Sequence, residues 1–341
     1  MTSVTPSRIT GVRPLWGVEG GWLTISGDGF RMEPLPDVRI GSVPARIVAG
    51  SGRELRVCVP SGLDGGSTPV RLQSVPGESA LVQIGAPLAT GLHLVDNPTF
   101  DRNGNLFVTF SGSRGQQSPV SIYVVRPDGS REPFVTDLPN PTSLAFDRHG
   151  RLHVSSRFDG SVYRIADDGS PEVVATDLGV ACGIAFDPEG VLFVGDRAGS
   201  ILRVDGRKTV VLAAVPPSIA AFHLAFGPDG SLFVTGPTLN TRDAIYRVSS
   251  TGAVDVFYEG FGRPQGLAFD DTGRLYVADA IAGAGGLYRF AADGSGPELL
   301  ISAGGLVGIA FGPGGTLAVA SADTVYRLDA GIGGLLPFTR P

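Results

Sequence analysis

The chain has 341 residues and a formal net charge of −6 without any basic block, so it lacks the concentrated cationic face that nucleic acid requires. It is too long for one small domain, and no segment approaches the roughly 18 apolar residues that span a bilayer. Fifty Gly and 26 Pro beside 42% hydrophobic residues predict many tight turns between short apolar strands, an all-β chain.

The N-terminus, "MTSVTPSRITGV", has neither a basic region nor an apolar stretch of leader type, and a cytoplasmic chain is the expectation. A leader already removed would give a secreted or periplasmic protein the same sequence. From about Ile9 to Ile84, runs such as "WLTISGDGF", "DVRIGSVPARIV", "ELRVCVP" and "STPVRLQSV" alternate as half-buried strands between glycine turns. Through "ITGVRPLWGVEGGWLTISGDGF", "VRIGSVPARIV" and "ELRVCVPSGLDGGSTPVRL" this segment resembles the IPT/TIG family of immunoglobulin-like domains. The resemblance implies a β-sandwich over residues 1–86. Trp16 and Trp22 both fall there and are expected to serve core and loop packing.

The remainder repeats. A glycine closing a D/G-x-x-G turn recurs at Gly104, Gly150, Gly190, Gly230, Gly273 and Gly315, a period near 40 with several strands per unit, as in propeller blades. In each unit "SLAFD" or "GIAFD" leads through the turn to "RLHVS" or "VLFVG". A third strand such as "SVYRI" and a fourth such as "EVVATDL" follow. The recurring Tyr and Arg of the third strand (Tyr163 and Arg164, for example) are expected to pack blade against blade. Residues 87–341 resemble the six-bladed propellers of the NHL and gluconolactonase/regucalcin-like superfamily. Either "LATGL" at 88–92 or the C-terminal "LLPFTRP" could supply the outer strand of the last blade.

Candidate chemistry lies at residues that vary while the framework repeats. Before the first strand of successive units stand Asp96 and Asn97, Thr142 and Ser143, Cys182, Phe222 and His223, Gln265 and Val307. Arg157 and Arg197 lie just beyond second strands. By analogy with NHL repeats, Asp196 and Asp279 are expected to cap contacts between blades. Asp96, Asn97, Ser143, Cys182, His223, Gln265, Arg157 and Arg197 form the candidate binding set, converging on one mouth of the central channel.

Gluconolactonase relatives hold calcium or zinc through a carboxylate at the position of Asp96 and Asn or Asp at later positions. Here those later positions carry Cys182, Phe222 and Gln265, a poor set for a hard cation. No cofactor is predicted, and a divalent cation near Asp96 stays open. Streptogramin-lyase-like propellers place histidines around the channel. Of the four histidines here, His149 sits in a turn at the opposite end, His153 fills an aromatic slot and His93 lies in the approach strand. That leaves His223 as a weak catalytic candidate, with Asp96, Cys182 or Gln265 as partners that could converge on it. Lys208, the only lysine, sits in the turn "VDGRKTV", which argues against Schiff-base chemistry.

The leading expectation is a protein that binds a small molecule, glycan or peptide at the channel mouth. The rival is a gluconolactonase- or lyase-like enzyme, and a mouth plugged by Phe222 and Phe110 would favour a structural scaffold. Cys58 and Cys182, 124 positions apart, are expected to be free thiols. Because sibling copies carry Gly183, Gly266 and Gly308 where this one carries His223, His223→Gly is expected to leave stability nearly unchanged.

Overall fold

A computed structural model describes residues 7–73, 79–113, 115–116, 118–206, 208–281, 284–291 and 296–336. They form an all-β, propeller-like structure whose only helical element is a 3₁₀ turn at Pro313–Gly315. Among them no helix is long and apolar enough to cross a membrane.

Between Ala86 and Asp329 the chain makes six four-stranded antiparallel arrays, each in order from an inner strand outward. The inner strands are Thr99–Phe100, Pro141–Phe146, Ala181–Phe186, His223–Phe226, Pro264–Phe269 and Leu306–Phe311. Each touches the next, and the last returns to the first, closing a ring. The turn that ends each inner strand is built alike. In three copies a buried or half-buried aspartate (Asp101, Asp147, Asp270) accepts the backbone N–H groups two and four residues on. The recurring glycine takes φ between +77° and +88° in all six copies, which L side chains rarely adopt.

Adjacent sheets meet through a second-strand aromatic packed edge-on against the phenylalanine of the next inner strand. The pairs are Phe107–Phe146, His153–Phe186, Phe193–Phe226, Phe233–Phe269 and Tyr276–Phe311, with ring centroids 4.8–5.6 Å apart. His153 does occupy an aromatic slot, with Nδ1 3.1 Å from the Arg151 carbonyl oxygen. Of the third-strand arginines, Arg327 reaches the neighbouring sheet as expected, donating from Nη1 to the Pro127 carbonyl, while others do not. Arg164 pairs with Glu172 and Arg289 with Glu298, each on the neighbouring outer strand of its own sheet. They lace a sheet to itself because the long side chain lies across the adjacent strand, where its register partner is the glutamate.

Closure comes from the N-terminal side. Ala86–Ala89 pairs antiparallel with Val325–Asp329, and its Pro87 sits on the free outer edge, where a missing N–H is tolerated. The C-terminal segment instead turns back under the ring. Leu335 donates its N–H to the Phe269 carbonyl, while residues 337–341 of "LLPFTRP" lie outside the described residues.

Ahead of the ring, the strands Arg8–Arg13, Trp22–Asp28, Glu54–Cys58 and Ile47–Gly50 form one sheet. A second contains Val38–Ile40, Gly66–Leu72 and Ser79–Ile84. Ile25, Leu55 and Val57 of the first share a buried cluster with Ile40, Val70 and Val82 of the second. Each such side chain contributes about 1.5–3 kcal/mol when withdrawn from water. The second sheet runs on into the ring, because Trp16–Gly17 lies parallel to both Ser79–Ile84 and the outer strand Pro297–Ser302. Neither tryptophan joins the N-terminal core. Trp16 packs against the ring at this junction, and half-buried Trp22 lies under the Arg56 guanidinium, 4.3 Å away.

Candidate functional site

Six equivalent positions encircle the start of the channel: Asn97, Ser143, Gly183, His223, Gly266 and Gly308. Their differences follow from space. A Cβ at Gly266 would overlap Asn97 Oδ1 and lie 2.7 Å from the Gly308 Cα. One at Gly308 would lie 2.9 Å from the Asn97 Cα, and one at Gly183 would press within 2.5 Å of the Phe222 carbonyl oxygen. Three positions must therefore be bare so that their neighbours can project inward. Asn97 uses that room, donating from Nδ2 to the Leu267 carbonyl (3.3 Å) and accepting at Oδ1 from the Ile309 N–H (2.9 Å). Ser143 Oγ accepts from the Ile184 N–H at 3.1 Å.

His223 is not a sibling of the glycines in backbone terms. The strands bearing Gly183, Gly266 and Gly308 shift register just ahead of or at those positions, whereas the strand His223–Phe226 pairs regularly from its first residue. Its imidazole is fully buried. Nδ1 lies 2.5 Å from Asp96 Oδ1, and Nε2 lies 3.0 Å from Gln265 Oε1. Asp96 Oδ1 also accepts the Asn97 N–H at 2.7 Å. Thus Asp96, Asn97, Ser143, His223 and Gln265 come together from different inner strands, and they bond to one another and to backbone.

That end of the channel is closed. Thr142, Cys182, Phe222 and His223 are each no more than 2% exposed. Phe222 fills the space beside Gly195 and Gly236, while Phe110 stands apart against His93. Arg157 and Arg197 do not join the group. Arg157 Nη2 donates to the Gly112 carbonyl and Arg197 Nε to the Ser218 carbonyl, out in the loops. Asp196 and Asp279 accept N–H groups from Val180 and Arg263, in the loops leading into their own sheets' inner strands, so they cap within a sheet rather than between sheets. Burial raises the Asp279 carboxyl above the ordinary carboxylate range.

A catalytic His223 would need a nitrogen free to reach a substrate, yet both ring nitrogens are engaged and none of its surface is exposed. A hard cation fares no better. Asp96 Oδ1, Asn97 Oδ1 and Gln265 Oε1 already have partners, leaving at most one carboxylate oxygen where several are needed. Among the described residues no three His, Cys, Asp or Glu side chains gather as a metal group.

Cys58 and Cys182 are both free. Burial pushes the Cys182 thiol up to about 11, so at pH 8 almost no thiolate is present there. Iodoacetamide at pH 8 should label half-buried Cys58 in the native protein and both cysteines after denaturation. Labelling of native Cys182 at a comparable rate would contradict this enclosure.

Behind the closed floor the ring holds a cavity of about 500 Å³, bounded at the floor by Asp96, Asn97 and Ser143. Its walls are the L/I-A-F triplets of the inner strands, and Ala145, Ala225 and Ala268 are partly exposed to it. It opens at the turn end, where Arg148, His149 and Asp187 form a polar rim beside Leu335 and Leu336. The sequence reading passed over these lining residues because the alanine recurs in nearly every copy. Recurrence marked it as framework, although alanine there is what keeps the channel wide. His149, set aside as lying at the wrong end, stands at the opening.

No protein-family model matches the chain, and no curated protein does. Solved structures of similar fold exist. A provisional gluconolactonase is 18% identical, aligning over 74% of this chain and 93% of its own with a TM-score of 0.61. An auxiliary nutrient binding protein from Bacteroides thetaiotaomicron is 13% identical over 95% of this chain and 98% of its own (TM-score 0.53). A streptogramin B lyase is 14% identical over 96% and 94% (TM-score 0.51). At these identities the likeness is one of fold.

Proposed function

We propose that this protein binds a small, largely apolar molecule in the channel cavity, entered from the turn end of a six-bladed propeller. The observation that carries the reading is the cavity itself. About 500 Å³ falls within the size range of ligand sites, and the lining combines apolar side chains with polar groups at both ends, Asp96, Asn97 and Ser143 at one and Arg148 and His149 at the other. A closed floor favours a compact ligand over a glycan or peptide threaded through the ring. The engaged, buried His223 favours binding over catalysis. A nutrient-binding protein of the same fold, aligned over nearly the full length of both chains, is consistent with this role.

The N-terminal segment, residues 1–86, we assign as an immunoglobulin-like domain of IPT/TIG type. Its two sheets around one core support this, as does its fixed place on the ring at residues 16–17. The test is a ligand-observed NMR screen of apolar fragments against wild type and Ala268→Leu, which fills the cavity from its wall. Hits lost in Ala268→Leu support the reading. Hits that are indifferent to it, or a screen without hits, refute it.

A further inference from the structure

We infer that the cavity selects ligands whose inner end donates a hydrogen bond, an ammonium or hydroxyl head on an apolar body, because Asp96 holds an unused acceptor at its floor. The inference rests on the binding reading above and names the class of molecule that the site takes.

Asp96 is 2% exposed and lines the cavity. Both hydrogen bonds it receives from described residues, from His223 Nδ1 and the Asn97 N–H, fall on Oδ1. Oδ2 has no such partner. Oδ2 is not sealed away from the cavity, so an occupant that brings a donor to it is favoured over one that does not. The surrounding floor does not supply it: neither the Ser143 hydroxyl nor the Gln265 side-chain amide donates to Oδ2. Asn97 spends its amide on Leu267 and Ile309, and Gln265 Oε1 faces His223. The side chains of Leu144, Ile184, Leu224, Leu267 and Ile309 in the walls are apolar, while polar and apolar atoms share the lining as a whole.

A carboxylate head would bring no donor to Oδ2 and would meet Asp96 as a like charge, so it is disfavoured. The donor's source is left to the ligand: an ammonium adds charge attraction, a hydroxyl only the hydrogen bond. From Ser143 to Arg148 the inner strand spans about 16 Å at roughly 3.3 Å per residue, enough for a short arylalkyl body with its head at the floor.

The experiment is calorimetric titration of 3-phenylpropylammonium, 3-phenylpropanol and 3-phenylpropanoate into wild type, Asp96→Asn and Ala225→Leu. Wild type is expected to bind the ammonium and the alcohol at least tenfold more tightly than the carboxylate. Asp96→Asn should narrow that gap to less than threefold, and Ala225→Leu should lose all three. The wild-type ranking decides the matter even where Asp96→Asn fails to fold. Equal affinities in wild type, lost in Ala225→Leu, would overturn the head-group inference while leaving cavity binding intact. No binding by any of the three would overturn both.

Discussion

Replacing His223 with glycine is expected to remove about 3–5 kcal/mol of stability, the usual cost of deleting one partner from a buried ion-paired or hydrogen-bonded couple. The comparison of repeat copies suggests the opposite, a tolerant site where glycine is the common choice. The geometry reverses that expectation. His223 spans the channel to Asp96, which is itself 2% exposed, and a glycine would leave that carboxylate enclosed beside an empty space. Guanidinium unfolding of His223→Gly and Asp96→Asn, with the double variant, measures the coupling. The two effects should fail to add by at least about 1 kcal/mol, since the residues share one bond. A His223→Gly protein as stable as wild type would show that the pair carries no weight in folding.

Gly266→Ala should destabilise by about 3 kcal/mol, at the upper end for overpacking. The added methyl would overlap Asn97 Oδ1 and crowd the Gly308 Cα at 2.7 Å and the Val307 carbonyl oxygen at 2.9 Å. Asn97 cannot swing aside without releasing both Leu267 and Ile309, and so three inner strands would shift together. Gly11→Ala is the control. It sits in a strand with nothing within 4 Å of the new atom and should change stability by no more than about 0.5 kcal/mol. Equal unfolding midpoints for the two variants would show that the inner strands yield more readily than their contacts suggest.

These two substitutions also mark where sequence reading reached and where it stopped. The ring was legible because each unit is local. The turn glycines and the L/I-A-F triplets answer to the local turn and strand, and the second-strand aromatic recurs because each sheet meets the next in the same way. Listing Asp96, Asn97, Ser143, His223 and Gln265 together was also possible, since each departs from the repeat at one of two adjacent positions. What those side chains touch was not legible. Asp96 and His223 are 127 residues apart, and their meeting depends on ring closure and on one strand starting two residues later than its siblings. The open end of the channel was misplaced for a related reason. A plug of Phe222 and Phe110 is one sequence expectation; Phe222 does fill the space beside Gly195 and Gly236, a packing outcome between units, while Phe110 lies apart against His93. Arg164 and Arg289 lie within their own sheets while Arg327 reaches the next, because recurrence shows that a residue serves the blade but not in which direction it points.

The way the ring is closed has a consequence for the order of events during synthesis. The strand Ala86–Ala89 leaves the ribosome 236 residues ahead of Val325, where its partner begins. At about 5–20 residues per second this is a delay on the order of tens of seconds, with one strand of the last sheet already made and nothing to pair with. Through that interval the strand hangs from the finished N-terminal sheets, whose own core needs no residue beyond Ile84. Those sheets therefore act as an early-folding handle that keeps the waiting strand tethered to a body with its own core. The final sheet is completed only when the last third-strand residues, Val325–Asp329, arrive to be clasped, so a nascent chain stopped short of them would carry both an unpaired leading strand and an incomplete last sheet.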